Sequence, residues 1–249
     1  MIYIKATNFK DAITKSWEAL KDNGIKRQRN NQSKTDECLE ISLCLDIEND
    51  EFFMKYYAPK CVMFEDIQGL VEYDLEFTEG LNDGKFNYTY HQLFEPYFDK
   101  CIEELINNPQ SRRAVLPIAG EMSYADKFPP CMQLIMVDLS EGNEVNLAVV
   151  FRSNDAVKAF PSNLFAVRRL LDYIAYTLQE KTGNTYYAGN IVYMVNNFHA
   201  YSSDYGMLDG YLNRMKTAED EKLFWTAAEY DMALDECLNE GIKDEKDVL

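Results

Sequence analysis

Between Ala114 and Ser153 the chain changes period. AVLPIA, MQLIMVDLS and VNLAVVFRS are short runs rich in Val, Ile and Leu, the pattern of strands in a sheet. Behind them, residues 161–181 (PSNLFAVRRLLDYIAYTLQEK) start on Pro161 and Ser162 and carry Leu164, Phe165, Leu171, Ile174 and Leu178 along a helix. That helix is hydrophobic enough to be central. The fold therefore has to combine it with strands drawn from the middle of the chain.

Upstream, IYIKA predicts a short strand, followed by an Asn8 cap and an amphipathic helix that stops at Gly24. CLEISLCLDI alternates like a strand. Residues 64–80 and 91–107 have helical spacing, and Asn108-Pro109 ends the second helix. Downstream, TYYAGNIVYMVNNFHAY predicts a strand pair. The end from Ala218 to Leu249 predicts an acidic helical stretch with Phe224 and Trp225 on its buried side. With 47% apolar residues and no linker, residues 1–249 are expected to form a single domain.

The formal charge of −17 repels long polyanions and argues against a nucleic-acid polymer as partner. A small phosphorylated ligand is compatible with it, provided arginines cluster locally. No run of eighteen apolar residues occurs, and the opening segment has charges where a signal peptide needs its apolar stretch. The expectation is a soluble, cytoplasmic protein without a membrane span. Cys38, Cys44, Cys61, Cys101, Cys131 and Cys237 lie far apart without zinc-site spacing, so no metal is expected.

Three segments carry chemistry: Ser111-Arg112-Arg113, Pro129-Pro130-Cys131 and Arg152-Ser153-Asn154-Asp155. Arginine offers a planar fork of donors suited to phosphate oxygens, and Ser153 at a strand end adds another donor. Cys131 follows two prolines, which fix extended backbone and remove two amide donors, and it opens directly onto MQLIMV. A thiol held there near arginines is expected to have a depressed pKa and to act as a nucleophile.

NNPQSRR (107–113), PPC (129–131), FRSND (151–155), FPSN (160–163) and FHAYSSD (198–204) together resemble, in order and at similar spacing, the successive signatures of thymidylate synthases. YTYHQLF (88–94) resembles the tyrosine-containing segment of the shorter archaeal-type members. The resemblance implies an α+β fold, a single thymidylate synthase-like domain whose large mixed sheet packs back to back in a homodimer that shares its active sites. It further implies that Arg152 and Ser153 hold a nucleotide phosphate within the subunit, while Arg112 and Arg113 reach it from the partner. Cys131 is then the nucleophile toward C6 of the pyrimidine, Asn163 reads the C4 edge, and His199 and Tyr201 bind the sugar hydroxyl. Asp155 approaches the pterin of the cofactor, 5,10-methylenetetrahydrofolate or a related reduced pterin, and Tyr90 belongs to the proton network.

An amide at position 163 can donate to O4 and accept from N3–H, which favours dUMP over dCMP. The sequence departs from the family pattern at several places. Ile118-Ala119 replace a tryptophan-asparagine pair, Ala159 a glycine, and Phe151 a glutamine, while Met132 follows the cysteine. The helix that usually bears a catalytic glutamate aligns with Tyr73 at the acid position, with Glu72 and Glu76 as nearby substitutes, of which Glu76 is the one expected to act. These departures leave open a pyrimidine-nucleotide (dUMP, dCMP or CMP) hydroxymethylase, and a catalytically silent nucleotide-binding relative.

Overall fold

The computed structural model of the protein describes residues 1–31, 34–49, 55–60, 66–78, 80, 88–120 and 129–246. The chain opens with β1 (Ile2–Ala6) and α1 (Phe9–Asn23), where the Asn8 side chain accepts from the Asp11 N–H and Gly24 closes the last turn. Strands β2 (Ile25–Asn31), β3 (Lys34–Ile47) and β4 (Tyr56–Pro59) follow, then helices α2 (Ile67–Thr78) and α3 (Tyr90–Asn107). Next come β5 (Val115–Pro117), β6 (Met132–Ser140), β7 (Glu144–Phe151) and β8 (Asn154–Asp155), and then α4 (Phe160–Thr182). The chain continues through β9 (Tyr187–Tyr201), α5 (Tyr205–Thr217), β10 (Phe224–Thr226) and α6 (Ala227–Lys246).

The main sheet has eight strands in the order β1-β3-β9-β7-β6-β5, with β2 on β3 and β8 on β9. It is mixed: β1–β3 and β7–β9 run parallel, whereas β3–β9, β6–β7 and β5–β6 run antiparallel. Register decides which side chains are buried. Leu45, Tyr193, Val149 and Ile135 stand level across four strands, and all are buried in the core with α1 and α4. The alternating row Cys44, Met194, Val150 and Leu134 is only half-buried, on the face away from these helices. The central helix α4 carries 14 buried residues between Phe160 and Leu178.

Two expectations are corrected. The expected strand pair at 185–201 is one strand of 15 residues, β9. Its glycine is not a turn residue: a Cβ at Gly189 would stand 2.4 Å from Asn146 Oδ1, so glycine is needed where β7 and β9 approach closely. The expected terminal helix is interrupted, because Phe224 and Trp225 form β10, antiparallel to β4. Their side chains are positioned by that pairing and not by a helical face. Strand β2 carries no apolar alternation in IKRQRNN; beside its backbone ladder it is tied to β3 by ion pairs, Lys26 with Glu37 at 3.0 Å and Arg29 with Glu40 at 2.6 Å. Among the described residues no helix is long and apolar enough to cross a membrane.

Candidate active site

Pro129 and Pro130 lead into β6, and Cys131 sits half-buried at its mouth. The neighbouring end of β7 is tied to it. Arg152 N–H donates to the Cys131 carbonyl at 2.9 Å, while the guanidinium donates through Nε to Pro130 O at 3.1 Å and through Nη2 to Pro129 O at 2.8 Å. The prolines supply acceptors without competing donors, so the Arg152 fork is held beside the cysteine.

The thiol does not have the depressed pKa expected of it. Burial raises it above its ordinary value, and Arg152 only opposes that rise. The physical reason is that desolvation disfavours the thiolate more than one solvent-exposed guanidinium favours it. Tyr90, at the start of α3, reaches the same spot and accepts from the Met132 N–H at 3.3 Å. Burial, reinforced by the neighbouring Cys131, holds its phenol well above the ordinary range, so it is a neutral hydroxyl at any physiological pH.

Asn163 lies in the first turn of α4 and is almost fully buried. It does not cap that helix. The Tyr73 hydroxyl donates to its Oδ1 at 2.8 Å, and its Nδ2 donates to Asn154 Oδ1 at 3.3 Å. Asn154 Nδ2 in turn donates to the Tyr193 hydroxyl at 2.5 Å. Underneath, Phe151 stacks on Tyr193 with centroids 4.8 Å apart, and Phe160 meets Tyr193 and Phe198 edge-on. This aromatic floor joins the ends of β7, β9 and α4, which fixes where Cys131 and Asn163 stand relative to each other.

On the opposite face of β9, His199 is buried and Ser153 Oγ lies 3.5 Å from its Nδ1. The same nitrogen is 3.4 Å from Asn197 O, and the ring meets Tyr201 edge-on with centroids 5.1 Å apart. Asp155 pairs with His199 in register, and its Oδ1 accepts from the N–H groups of Val157 and Lys158 at 2.9 Å each. One end of the sheet thus gathers Cys131, Tyr90, Arg152, Ser153, Asn163, Asp155, His199 and Tyr201.

Arg112 and Arg113 are not part of that cluster within the chain. Both are exposed ahead of β5, where Ala114 O accepts from the Val137 N–H at 2.9 Å. Val137 lies six positions beyond Cys131 along β6, roughly 20 Å at the rise of a strand, too far for an arginine side chain to span. Glu76 is half-buried on α2, three residues after Tyr73. The α2 side chain bonded to Asn163 is Tyr73.

Residues 82–238 match the family model for thymidylate synthase. The chain belongs to the thymidylate synthase family. A provisionally named thymidylate synthase of Methanosarcina barkeri is 31% identical over 151 residues, 56% of this chain and 64% of that protein. The chain therefore spans just under two thirds of the length of that archaeal relative. The deoxycytidylate 5-hydroxymethyltransferase of Enterobacteria phage T2 is 24% identical over 182 residues, 68% of this chain and 74% of the phage protein. The solved structure of thermostable thymidylate synthase A from Bacillus subtilis shares the fold, with a TM-score of 0.61 and 18% identity over 83% of this chain and 84% of that one.

Within this family fold, four of the departures noted in the sequence, Ile118, Ala119, Met132 and Phe151, are core residues, whereas Ala159 and Tyr73 are half-buried. Phe151 is fully buried under the site, and Ile118 and Ala119 are buried where their N–H groups meet Gln133 O. The residues that sequence reasoning missed are Asn154 and Tyr193. Asn154 lies inside the FRSND segment, which could have marked it, whereas Tyr193 carries no signal beyond being a polar-tipped residue on the core face of a strand.

Proposed function

We propose that the protein transfers a one-carbon unit from a reduced pterin or folate cofactor to C5 of dUMP, through a covalent adduct of Cys131 at C6. The observation that carries this reading is the convergence of Cys131, the Arg152 fork and the base-edge amide of Asn163 on one end of the sheet. Attack of the Cys131 thiolate forms the S–C6 bond and pushes the C5–C6 π pair toward C5 and O4. The N–H of Asn163 then meets an oxygen that gains charge during the step, where a fixed donor is worth most.

Arg152 has five N–H donors, of which two are directed at the proline carbonyls, so its remaining fork is available to a phosphate together with Ser153. His199 and Tyr201 suit the sugar hydroxyl. A reduced pterin offers amino and ring N–H donors, which fit the carboxylate of Asp155, held in place through Oδ1 by two backbone N–H groups. When bound there, such a cofactor supplies the one-carbon unit. Tyr90 stays protonated and acts as a hydrogen-bond donor toward the reacting centre.

The pocket is completed in a homodimer. The half-buried apolar row Cys44, Met194, Val150 and Leu134 gives the sheet a face suited to a second copy. Exposed Arg112 and Arg113, out of reach of their own Cys131, are then free to serve the partner's phosphate. A second reading, hydroxymethylation of a pyrimidine nucleotide, is supported by the likeness to the phage enzyme.

Incubation with 5-fluoro-dUMP, with and without 5,10-methylenetetrahydrofolate, tests the proposal by mass spectrometry. A covalent ternary adduct on Cys131 is expected. Tight nucleotide binding with no adduct under either condition would overturn alkylation and leave a silent nucleotide-binding relative.

A further inference from the structure

A carboxylate taken out of water needs a cation or several donors, because burial removes the solvation that its charge requires. Asp204 has that need beside the candidate site. It ends the single turn Ser202–Asp204 between β9 and α5, its side chain is 6% exposed, and it does not cap α5. Ser203 Oγ donates to its Oδ1 at 3.3 Å, and Lys158 Nζ donates to its Oδ2 at 2.7 Å. Among the described residues Lys158 is the cation that compensates it.

The two partners belong to different segments, and each lies three residues beyond a residue of the candidate site. Lys158 follows Asp155, the proposed acceptor for the pterin, and Asp204 follows Tyr201, proposed to hold the sugar hydroxyl. Within its own turn, Asp155 accepts through Oδ1 from the N–H groups of Val157 and Lys158 and through its carbonyl from that of Ala159 at 3.2 Å. Those bonds shape the turn without attaching it to anything else. Ala156 ties the start of the turn to the His199 carbonyl. Lys158, 46% exposed, ties the far end to the β9–α5 corner, its apolar stem reaching from the surface to a buried acceptor. A buried carboxylate holds that end more firmly than an exposed one, because release would leave its charge uncompensated.

We propose that Lys158 and Asp204 form a positioning pair for the cofactor: their ion pair fixes the Asp155 turn relative to Tyr201, so that a reduced pterin held on Asp155 meets a nucleotide whose sugar is held on Tyr201. This rests on the proposed one-carbon transfer and on Asp155 as its pterin acceptor. Lys158 acts through the backbone it shares with Asp155, and Asp204 acts through Lys158, so both are positioning residues. Transfer between two bound molecules needs them in register, and a misplacement of about 1 Å costs as much as about a hundredfold in rate. A nucleotide bound alone needs no such register. Loss of the pair therefore falls on the cofactor and spares the nucleotide.

Calorimetric binding of dUMP, and of tetrahydrofolate to the protein saturated with dUMP, tests this without relying on turnover. Lys158→Met keeps the stem and removes the charge, Lys158→Arg keeps the charge, and Asp204→Asn removes the charge of the acceptor. Lys158→Met and Asp204→Asn are each expected to weaken tetrahydrofolate binding by about tenfold or more while dUMP affinity stays within about twofold. Lys158→Arg should stay within about threefold of the wild-type protein, and the double variant Lys158→Met/Asp204→Asn should lose no more than either single one, as residues acting as a unit do. The double variant orphans no charge, so it decides the matter if Lys158→Met alone fails to fold. Tetrahydrofolate affinity unchanged within about twofold overturns the inference, and so does a loss that dUMP shares equally, which would make the pair merely structural. A loss in Lys158→Met that Asp204→Asn does not reproduce would mean that Lys158 touches the cofactor itself, and overturns the positioning role. If the wild-type protein binds dUMP but no tetrahydrofolate, the reading of folate-dependent transfer itself fails, and the two failures are told apart.

Discussion

The main-chain N–H of Arg152 donates to the carbonyl of Cys131 at 2.9 Å, so the candidate nucleophile and a cationic residue are fixed to each other by the backbone of adjacent strands. Burial raises the Cys131 thiol and Arg152 pulls it back down. Removing that charge in Arg152→Gln therefore raises the thiol pKa further and lowers the thiolate fraction at any given pH below it. The pH profile of Cys131 alkylation by iodoacetamide, read on its peptide by mass spectrometry, should move to higher pH. Nucleotide affinity should also fall, because the phosphate loses a charged hydrogen-bonding partner. A profile that stays in place would show that Arg152 does not act on the thiol.

Cys131→Ser separates chemistry from binding. The hydroxyl fits the same space at the mouth of β6, but its far higher pKa removes the nucleophile. Turnover should be abolished and dUMP affinity should change little, measured by calorimetry alongside a one-carbon transfer assay. Activity within a few-fold of the wild-type protein would sink the assignment of Cys131.

The elements were legible where one physical signal dominated. Residues Leu164, Phe165, Leu171, Ile174 and Leu178 marked α4, and Asn8 with Gly24 marked both ends of α1. Strand β2 was not legible because its hold on β3 is a backbone ladder with charged cross-strand pairs and no apolar alternation, and the strand pair expected over 185–201 is one strand in which Gly189 permits close approach to Asn146. At the site, the residue types were legible and their electrostatics were not. Two prolines and three arginines in nearby motifs suggested a low thiol pKa, but burial is a property of the assembled fold and outweighed one exposed cation. Likewise, the resemblance put Tyr73 at the acid position, but the bond of its hydroxyl to Asn163 is visible only once α2 is packed on α4.

Trp17 links the core to the site. Its ring is buried and stacks on Tyr211 with centroids 6.0 Å apart, while Nε1 donates to Ala156 O at 2.7 Å. Ala156 N–H donates to His199 O, also at 2.7 Å. Trp17→Phe orphans a buried carbonyl, which costs about 1–3 kcal/mol before any loss of packing. Urea unfolding should register that loss, and nucleotide affinity should weaken because the turn carrying Asp155 loses its anchor. A change below about 0.5 kcal/mol, the size of an ordinary surface substitution, would show that the bond contributes nothing.

The position of Arg113 relative to Cys131 yields the most discriminating prediction. Val137 stands beside Ala114 on β6, so an Arg113 side chain is separated from its own Cys131 by roughly six residues of strand, about 20 Å. If these arginines serve a phosphate, they serve the one in the other subunit. Cys131→Ser homodimers then lack both nucleophiles, and Arg113→Ala homodimers lack one cation in each phosphate pocket, so each preparation alone should be nearly inactive. A mixed dimer contains one pocket with an intact Cys131 and an intact partner Arg113, and a second pocket with neither. Equal mixing with free exchange makes half of the dimers mixed, each with one of its two sites whole, so recovery should approach a quarter of wild-type activity, with mass spectrometry confirming exchange. Recovery at that level requires the two residues to meet across subunits. No recovery despite demonstrated exchange would mean that each pocket is built within one chain, and the exposed arginines before β5 would have to be assigned another role.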